Sequence, residues 1–240
     1  MSARQPVPAH SEELATLLRE YLSILSHDVR TPMTAIKGAA GLLEVGIGGT
    51  LTAHQAKLVD ICRRNADLAT LLVQDVVGLL RLHSGLEEVH PTSFDMVAEV
   101  QEMWSVLASQ TTLPLRIENS GDAALLHTDR HYFRWAVGAL IRFPQPYADV
   151  EEASLALRTL PDGGEIALTC SPFSVEQADI DRLLTTIARG RRQVKGRLQV
   201  SGLELPFLQA LSLRFSTTLS VDSVPPESLR IRLIWPTMAV

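Results

Sequence analysis

The sequence has few of the residues that mark several large classes of protein. Its 240 residues include only two cysteines, Cys62 and Cys170, which stand too far apart for a metal-binding spacing. We therefore expect neither a zinc site nor a disulfide framework, and free thiols suit a reducing cytoplasm. No apolar run approaches the roughly 20 residues that span a bilayer. The N-terminal segment lacks a signal-peptide profile, so we predict a cytoplasmic chain without a membrane partner.

The charge is close to balanced as well. The chain carries 22 basic and 27 acidic residues, which gives a formal net charge of −5. Nucleic acids and anionic membranes select basic proteins, so neither is an expected partner. With 46% hydrophobic and 20% charged residues, the composition is typical of a folded globular protein of one or two domains.

What the sequence does contain is a pair of long amphipathic helices. After a loose lead-in over residues 1–10, apolar residues recur every three or four positions from Ser11 onward. A glycine-rich turn at Gly46–Thr50 separates this helix from a second, predicted from Thr52 to Ser84. A single antiparallel hairpin cannot cover both apolar stripes. We therefore predict that two copies form a homodimeric four-helix bundle.

The rest of the chain alternates between helical and strand patterns. This order predicts an α/β sandwich with helices on one face of a mixed sheet. The predicted helices lie near 95–109, 129–142, 175–188 and 203–214. The predicted strands lie near 113–118, 123–127, 152–160, 164–170, 217–223 and 228–235. The predicted domains are the hairpin over 11–88 and the sandwich over 92–240.

One segment of the first helix has the composition of a reactive site. His27 is followed by the carboxylate of Asp28, and Thr31 lies one turn further along on the same side. Pro32 cannot donate to the carbonyl of Asp28, so the helix is expected to bend there. A neutral histidine is a nucleophile toward phosphorus, and a carboxylate partner fixes its tautomer. Because His27 lies opposite the neighbouring apolar positions, we expect it to face outward.

The segment Ser26–Ile36 reads Ser-His-Asp-Val-Arg-Thr-Pro-Met-Thr-Ala-Ile, which closely resembles the phosphoacceptor box of two-component histidine kinases. The resemblance implies that His27 is the phosphoacceptor and that Asp28, Arg30 and Thr31 complete the catalytic segment. Related kinases use a Thr or Asn at the position of Thr31 to place water for dephosphorylation. The family forms the same dimeric bundle, which agrees with the pattern of the two helices.

The resemblance continues into the second domain, because the segment from Leu79 to Asp95 is similar to the bridge into the family's ATP-binding domain. The boxes that bind the nucleotide in that domain are altered here. In the helix that usually carries two asparagines, one of them for magnesium, these positions are Ala139 and Phe143. Neither side chain offers oxygen to a hard cation. We therefore expect the magnesium site to be lost.

The other two boxes are altered as well. The Asp-x-Gly-x-Gly box, whose carboxylate binds adenine, is replaced by a segment that begins at Ser171 and has no carboxylate at the expected position. The Gly-Leu-Gly-Leu box, whose amides cradle phosphates, becomes Gly202-Leu-Glu-Leu. Its Glu204 adds a negative charge that is expected to repel phosphate. These changes predict a degenerate domain that keeps the fold and has lost the nucleotide chemistry and the metal.

A basic stretch, Arg189–Arg197, falls where the family keeps a mobile lid over ATP. It carries five cations in nine residues. A solvated loop and a docking patch for an acidic partner or a phosphate both fit this composition. The two alternatives stay open on the sequence alone.

Three functions fit a whole phosphoacceptor box beside altered nucleotide boxes. The first is a histidine phosphotransferase of a phosphorelay, which passes a phosphoryl group between His27 and receiver-domain aspartates without ATP. The second is a divergent ATP-dependent sensor histidine kinase. The third is a pseudokinase module that docks on a response regulator without passing phosphate.

We favour the phosphotransferase, since the chain resembles dimeric phosphotransferases with a degenerate kinase-like domain. It predicts response-regulator receiver domains as partners, with a hybrid sensor kinase as a further candidate. It also predicts no cofactor of the chain's own, because the receiver contributes its magnesium ion.

Overall fold

The structure is a computed structural model. It describes residues 9–85, 89–119, 125–147, 149–173, 184, 200–224 and 227–236, with side chains from residue 16 onward. The chain divides into two compact units, Met1–Glu87 and Glu88–Val240. The first is a helical hairpin and the second an α/β unit. The predicted fold class, a hairpin of long helices followed by an α/β domain, is therefore confirmed.

The hairpin consists of two long helices, α1 (Ala9–Glu44) and α2 (Ala53–Ser84). α1 begins two residues before the predicted start at Ser11, and the predicted lead-in up to residue 8 lies outside the described residues. α2 begins where predicted because Thr52 and Gln55 form a capping box, in which each side chain bonds the backbone amide of the other. It ends at Gly85, whose φ of 64° is the left-handed conformation that glycine favours.

Ion pairs between the two helices fix their antiparallel register. Lys37 Nζ lies 2.6 Å from Asp67 Oδ1, and Arg63 Nε lies 3.2 Å from Glu44 Oε1. These side chains are part-exposed, so each pair adds little stability by itself. The two contacts instead define the alignment of α1 with α2, because they join the helices at two separate places.

One side of the hairpin remains apolar and exposed in the single chain. We call this surface the exposed apolar stripe, and it consists of Leu17, Tyr21, Ile24, Leu25, Ile36, Leu43, Leu58, Ile61, Leu72, Val76 and Leu80. At about 100° per residue, the members on each helix fall on one side of that helix. No helix in the described part of the chain is long and apolar enough to cross a membrane.

Apart from one strand, Pro91–Asp95, the described helices and strands of the second unit follow the order that the sequence predicts. Its α-helices among the described residues are α3 (Met96–Leu107), α4 (Arg130–Arg142) and α5 (Glu204–Phe215). Its strands are β1 (Pro91–Asp95), β2 (Leu115–Asn119), β3 (Leu125–Asp129), β4 (Glu152–Leu160), β5 (Gly163–Ser171), β6 (Thr218–Val224) and β7 (Ser228–Pro236). A short 3-10 helix, Ala108–Gln110, follows α3. The helix predicted near 175–188 lies in a part of the chain that the structure leaves undescribed, except for residue 184.

Five strands form one mixed sheet in the order β2-β4-β5-β7-β6. β2 is parallel to β4, and the other neighbours are antiparallel. β1, which was not predicted, pairs antiparallel with β3 in a separate two-stranded sheet. Gly163 has a φ of 153° where β5 begins, and a Cβ there would collide with the carbonyl of Trp235.

The core of this unit combines one face of the large sheet with side chains from the helices. Leu155 and Ile166 of the sheet and Phe133 of α4 are completely buried. Trp235 is 1% exposed and packs edge-on against Phe133 with ring centroids 5.3 Å apart. Its indole Nε1 donates to the hydroxyl oxygen of Thr128 at 2.7 Å, so the buried polar atom has a partner.

A buried carboxylate links α3 to α4. Glu99 is 3% exposed, and its Oε2 accepts from Arg130 Nε at 2.8 Å while its Oε1 accepts from Arg134 Nη1. Burial would raise the pKa of the Glu99 carboxyl. The hydrogen bonds and positive charges of the two arginines outweigh that effect and hold the pKa below its ordinary value.

The two cysteines have different environments. Both are free thiols, and Cys62 on α2 is exposed whereas Cys170 on β5 is buried. Burial disfavours the thiolate and raises the pKa of Cys170 to about 12. The Cys170 Sγ lies 3.7 Å from the carbonyl oxygen of Leu229.

Candidate functional site

His27 lies on α1 with its side chain 79% exposed. Its Nδ1 is 3.0 Å from Oδ1 of Asp28, whose side chain is 67% exposed. When Nδ1 carries the proton and donates to this carboxylate, the lone pair of Nε2 stays free at the far end of the ring. In that tautomer, the two adjacent residues provide an imidazole with one defined nucleophilic nitrogen.

The position of His27 around α1 leaves its imidazole accessible. Leu22 and Ala40 are buried and lie on the inner side of α1. Tyr21 and Leu25 lie on the exposed apolar stripe. At about 100° per residue, His27 is roughly a third of a turn or more away from all four of these residues. A partner on the exposed apolar stripe would therefore leave His27 open to a further protein.

The other two predicted site residues lie within one turn of His27. The hydroxyl of Thr31 donates to the carbonyl oxygen of His27 at 3.0 Å, so it is bonded to the backbone. Nη2 of Arg30 donates to Oγ of Ser26 at 3.4 Å. The structure brings the four predicted residues to one stretch of helix, but it joins only His27 and Asp28 side chain to side chain.

Pro32 lies inside α1 without ending it. Proline has no N–H, so the carbonyl oxygen of Asp28 receives no backbone hydrogen bond from this position. Two nearby threonine hydroxyls bond to the backbone: Thr31, just before Pro32, donates to the carbonyl oxygen of His27 at 3.0 Å, and Thr34, two residues after it, donates to that of Arg30 at 2.9 Å. Side-chain hydroxyls thus supplement the backbone hydrogen bonds of the helix beside the imidazole.

The positions of the missing magnesium ligands lie inside the α/β unit. Ala139 is 1% exposed and Phe143 is 4% exposed, at the end of α4. The ring of Phe143 lies 5.2 Å from that of Tyr147 and 6.0 Å from that of Phe173, and the last two rings are 4.6 Å apart. We call these three residues the aromatic cluster. It joins the first altered box to the second and presents neither carboxylate nor amide oxygens to a metal.

The second altered box begins at the end of β5. Oγ of Ser171 donates to Oε1 of Glu152 at 3.5 Å, and the amide of Phe173 donates to the carbonyl oxygen of Glu227 at 2.7 Å. These contacts hold the segment within the unit's own fold. The rest of this box, from residue 174, lies outside the described residues, and so does the basic stretch Arg189–Arg197.

Glu204 in the third altered box is turned into the protein. It is 4% exposed, and its Oε1 accepts from the amide and the hydroxyl of Ser201 at 2.9 and 3.1 Å. Nε of Arg142 lies 3.9 Å from the same oxygen. The sequence predicted a charge that repels phosphate, whereas here the charge is buried and faces a cation. The Glu204 carboxylate thus accepts a hydrogen bond from the backbone amide of Ser201. Ser201 precedes Gly202, which has a φ of 78°.

Among the described residues, the side chains at the altered boxes do not fit a magnesium-bound nucleotide. Apolar and aromatic side chains stand at the metal positions, and a buried carboxylate stands beside the start of α5. Among the described residues, no three His, Cys, Asp or Glu side chains come together as a metal site.

Sequence reasoning missed two partners in these sites. Ser26 lies four residues before Arg30, and side chains at this spacing are neighbours on a helix. The spacing alone therefore could have predicted the contact between Ser26 and Arg30. Arg142 faces Glu204 from another helix. No spacing in the sequence indicates that second pair, because only the packing of α4 and α5 brings it together.

Known proteins match both units of the chain. A family model described as the His Kinase A (phospho-acceptor) domain matches residues 17–85. The chain is 27% identical over 149 residues to the hybrid signal transduction histidine kinase L of Dictyostelium discoideum, a match that covers 62% of this chain and 8% of that protein. It is 24% identical over 167 residues to the sensor histidine kinase MtrB of Mycolicibacterium paratuberculosis, covering 68% and 29%. The chain thus spans less than a third of either relative.

Solved structures share the fold. Full-length ShkA in complex with AMPPNP is similar with a TM-score of 0.62 and 22% identity, over 92% of this chain and 47% of that chain. The histidine kinase AdeS of Acinetobacter baumannii has a TM-score of 0.59 and 14% identity, over 89% and 98%. The histidine kinase ThkA in complex with the response regulator TrrA has a TM-score of 0.54 and 12% identity, over 98% and 68%.

Identities this low establish the shared fold alone. The phospho-acceptor match and the kinase relatives add the evidence from sequence. Together they support a two-component histidine kinase-like family for this chain, which is similar to histidine kinases over both of its units.

Proposed function

We propose that this chain is a histidine phosphotransferase of a two-component phosphorelay, which passes a phosphoryl group between His27 and receiver-domain aspartates without using ATP. The observation that carries the proposal is the contrast between the two units. In the hairpin, an exposed imidazole is bonded to the carboxylate of Asp28. In the α/β unit, the aromatic cluster and a buried Glu204 stand where the family binds magnesium and phosphate.

The transfer is an in-line displacement at phosphorus. The Nε2 lone pair of His27 forms the N–P bond while the bond from phosphorus to the aspartyl oxygen breaks, and the aspartate leaves as a carboxylate. The proton on Nδ1 stays on the ring, which becomes an imidazolium with the phosphoryl group on Nε2. Asp28, 3.0 Å from Nδ1, stabilises that positive charge. The same steps in reverse pass the phosphoryl group to a second receiver.

The partners follow from this chemistry. A receiver domain brings the phosphorylated aspartate and its own magnesium ion, so the chain itself needs only an accessible histidine. ThkA, a fold relative, was crystallised with a response regulator. A receiver domain of a hybrid sensor kinase is a further candidate, and we place the reaction in the cytoplasm, where free Cys62 and Cys170 stay reduced.

A homodimer completes the proposal. The exposed apolar stripe leaves large apolar side chains such as Tyr21, 65% exposed, in contact with water in a single chain. A second copy would cover both stripes and form a four-helix bundle. Because His27 lies on another side of α1, this dimer keeps both imidazoles accessible.

The test supplies each phosphoryl donor separately. The protein is incubated with labelled ATP and magnesium, and in parallel with a labelled, phosphorylated receiver domain. We expect label on the protein only in the second reaction. His27→Gln should abolish it, whereas His54→Gln, which alters another exposed histidine on α2, should keep it.

The outcomes separate the three candidate functions. Label that arrives from ATP alone and depends on His27 would overturn the proposal and identify a divergent kinase. A receiver that binds the protein but transfers no label would identify a docking module. Label from the receiver that survives His27→Gln would assign the phosphoacceptor to another residue.

A further inference from the structure

We propose that Asn65 on α2 pairs with Asn65 of a second copy of this chain and determines which hairpins assemble and in which alignment. The inference rests on the homodimer of the proposed function. Apolar contacts are not directional, so the exposed apolar stripe alone does not select one alignment or one partner. A polar pair within the stripe supplies that selection.

Asn65 interrupts the apolar run along α2 near its middle. Steps of three and four residues keep to one side of a helix, and such steps follow α2 through Leu58, Ile61, Asn65, Leu68, Leu72 and Val76. Asn65 is the one polar residue in this run. It is exposed, as are Leu58 and Ile61 before it and Leu72 and Val76 after it. A second copy that covers these apolar neighbours therefore covers Asn65 as well.

The hydrogen-bonding groups of Asn65 are only partly satisfied within the chain. Its Nδ2 donates to the carbonyl oxygen of Ile61 at 2.8 Å, which uses one of the two N–H groups of the amide. The second N–H group and Oδ1 bond to no described residue, so water serves them in a single chain. A second copy would exclude that water. Burial would then destabilise the dimer unless the second copy provides both a donor and an acceptor.

The same residue of the second copy provides both groups. The ion pairs of Lys37 with Asp67 and of Arg63 with Glu44 place Asn65 level with the region of residues 39–42 on α1. These four residues are alanine, alanine, glycine and leucine, which have no polar side chain. A twofold axis along a four-helix bundle places identical residues of the two copies at the same level. Asn65 of the second copy therefore offers the matching amide.

The two amides complement each other. The second N–H group of each donates to Oδ1 of the other, so that every polar group of both side chains has a partner. Ala69 lies one turn after Asn65 on the same side of α2. Small side chains let packed helices approach to an interaxial distance of about 8 Å. At such a distance two short side chains can meet.

This pair makes the assembly selective rather than tight. A shift of one copy by seven residues would place Asn65 against Leu58 or Leu72 and leave both amides unsatisfied. A related hairpin with an apolar residue at this position would be disfavoured for the same reason. Leucine at position 65 would bury more apolar surface, so the amide lowers the affinity of the dimer while it increases its specificity.

The first experiment mixes full-length proteins that differ in mass and measures the fraction of mixed dimers by native mass spectrometry after subunit exchange. Wild type and tagged wild type should give half mixed dimers. We expect Asn65→Leu to tighten its own dimer by about tenfold or more and to form mixed dimers with wild type at well below half. Ser23→Leu adds the same side chain on the side of α1 away from Leu25, and it should mix with wild type at random.

The second experiment introduces a carboxylate, which accepts hydrogen bonds but donates none when ionised. Asn65→Asp should weaken its own dimer by about tenfold or more at pH 7, because two carboxylates then face each other. Its mixed dimer with wild type should be tighter than the geometric mean of the two parent dimers, since the wild-type amide donates to the carboxylate. Below about pH 4, protonation should restore much of the affinity of the variant for itself.

The outcomes separate this role from the proposed function. Random mixing of Asn65→Leu with wild type, or a mixed Asn65→Asp dimer at the geometric mean, would overturn the pairing of Asn65 while the homodimer stands. A wild-type protein that sediments as a monomer would overturn both the homodimer and the pair. Transfer of label from a phosphorylated receiver to His27 is measured independently and tests the phosphotransferase function by itself.

Discussion

His27 and Asp28 form a pair whose effect lies in chemistry rather than in stability. Both side chains are largely exposed, at 79% and 67%, and exposed pairs of this kind contribute little to the free energy of folding. The 3.0 Å contact instead selects which ring nitrogen carries the proton. The cost of removing the carboxylate should therefore appear in the transfer rate.

Asp28→Asn should slow phosphoryl transfer to His27 by about tenfold or more. The amide oxygen can still accept the Nδ1 proton, but it carries no charge to stabilise the imidazolium that forms. The free energy of unfolding should change by less than about 0.5 kcal/mol. Single-turnover transfer from a phosphorylated receiver and urea unfolding measure the two quantities. Asp149→Asn, at an exposed position of the α/β unit, is the matched control, and equal rates for both variants would contradict this role.

Residues differ in how far their surroundings can be predicted from sequence. The outward direction of His27 follows from the period of the apolar residues around it, because helix geometry alone fixes the angle. The burial of Glu204 does not follow, since its neighbour Arg142 comes from a distant part of the chain. The aromatic cluster is a similar case, because Phe143 and Phe173 meet only in the folded unit.

At the scale of elements, capping residues and periodicity located most helices and strands. Asp129 accepts from the amides of His131 and Tyr132 at 3.0 and 3.2 Å and starts α4 where the sequence indicated. The strand β1 was missed because Pro91–Asp95 is largely polar and shows no alternation of apolar residues. Its burial pattern has a single buried residue, Phe94, and its partner β3 is distant in sequence. A local sequence pattern does not indicate a pairing between two segments that lie this far apart in the chain.

The link between α3 and α4 makes a prediction for stability. Glu99→Gln should lower the free energy of unfolding by about 1–3 kcal/mol at pH 7, because two arginines lose a buried charged acceptor. Glu102→Gln is the matched control, since the Glu102 side chain is 60% exposed and meets the same arginines. It should cost less than about 0.5 kcal/mol. Urea unfolding measures both variants, and equal losses would contradict the assignment.

The same carboxylate gives the stability a defined pH dependence. The pKa of Glu99 is lower in the folded protein than its ordinary value of 4.5. Its contribution to stability is therefore complete above that value and is lost as the pH falls through the folded-state pKa. The stability difference between the wild type and Glu99→Gln should narrow in acid. A difference that stays constant between pH 7 and about pH 3 would contradict the lowered pKa.

At the scale of the whole molecule, the exposed apolar stripe predicts the oligomeric state. Leu25→Glu and Ile61→Glu each place a charge in the stripe, where burial against a second copy would leave it unpaired. We expect each to raise the dissociation constant of the homodimer by about 100-fold or more, which corresponds to about 3 kcal/mol. Sedimentation equilibrium of the full chain measures this constant.

The control for this prediction lies in the other unit. Val106 is 62% exposed on α3 and does not belong to the stripe. Val106→Glu should leave the dissociation constant unchanged. A wild-type protein that sediments as a monomer at micromolar concentration would contradict the homodimer, and equal effects of all three substitutions would contradict the location of the interface.

The two thiols of the folded protein differ in reactivity because one is exposed and the other is buried. Cys62 is exposed on α2 beside Ile61 of the stripe, whereas burial raises the pKa of Cys170 to about 12. Alkylation requires a thiolate that the reagent can reach. A maleimide dye added to the native protein should therefore label Cys62 alone. The hairpin thus carries a natural attachment point for a fluorophore or spin label, next to the surface where a second copy is expected.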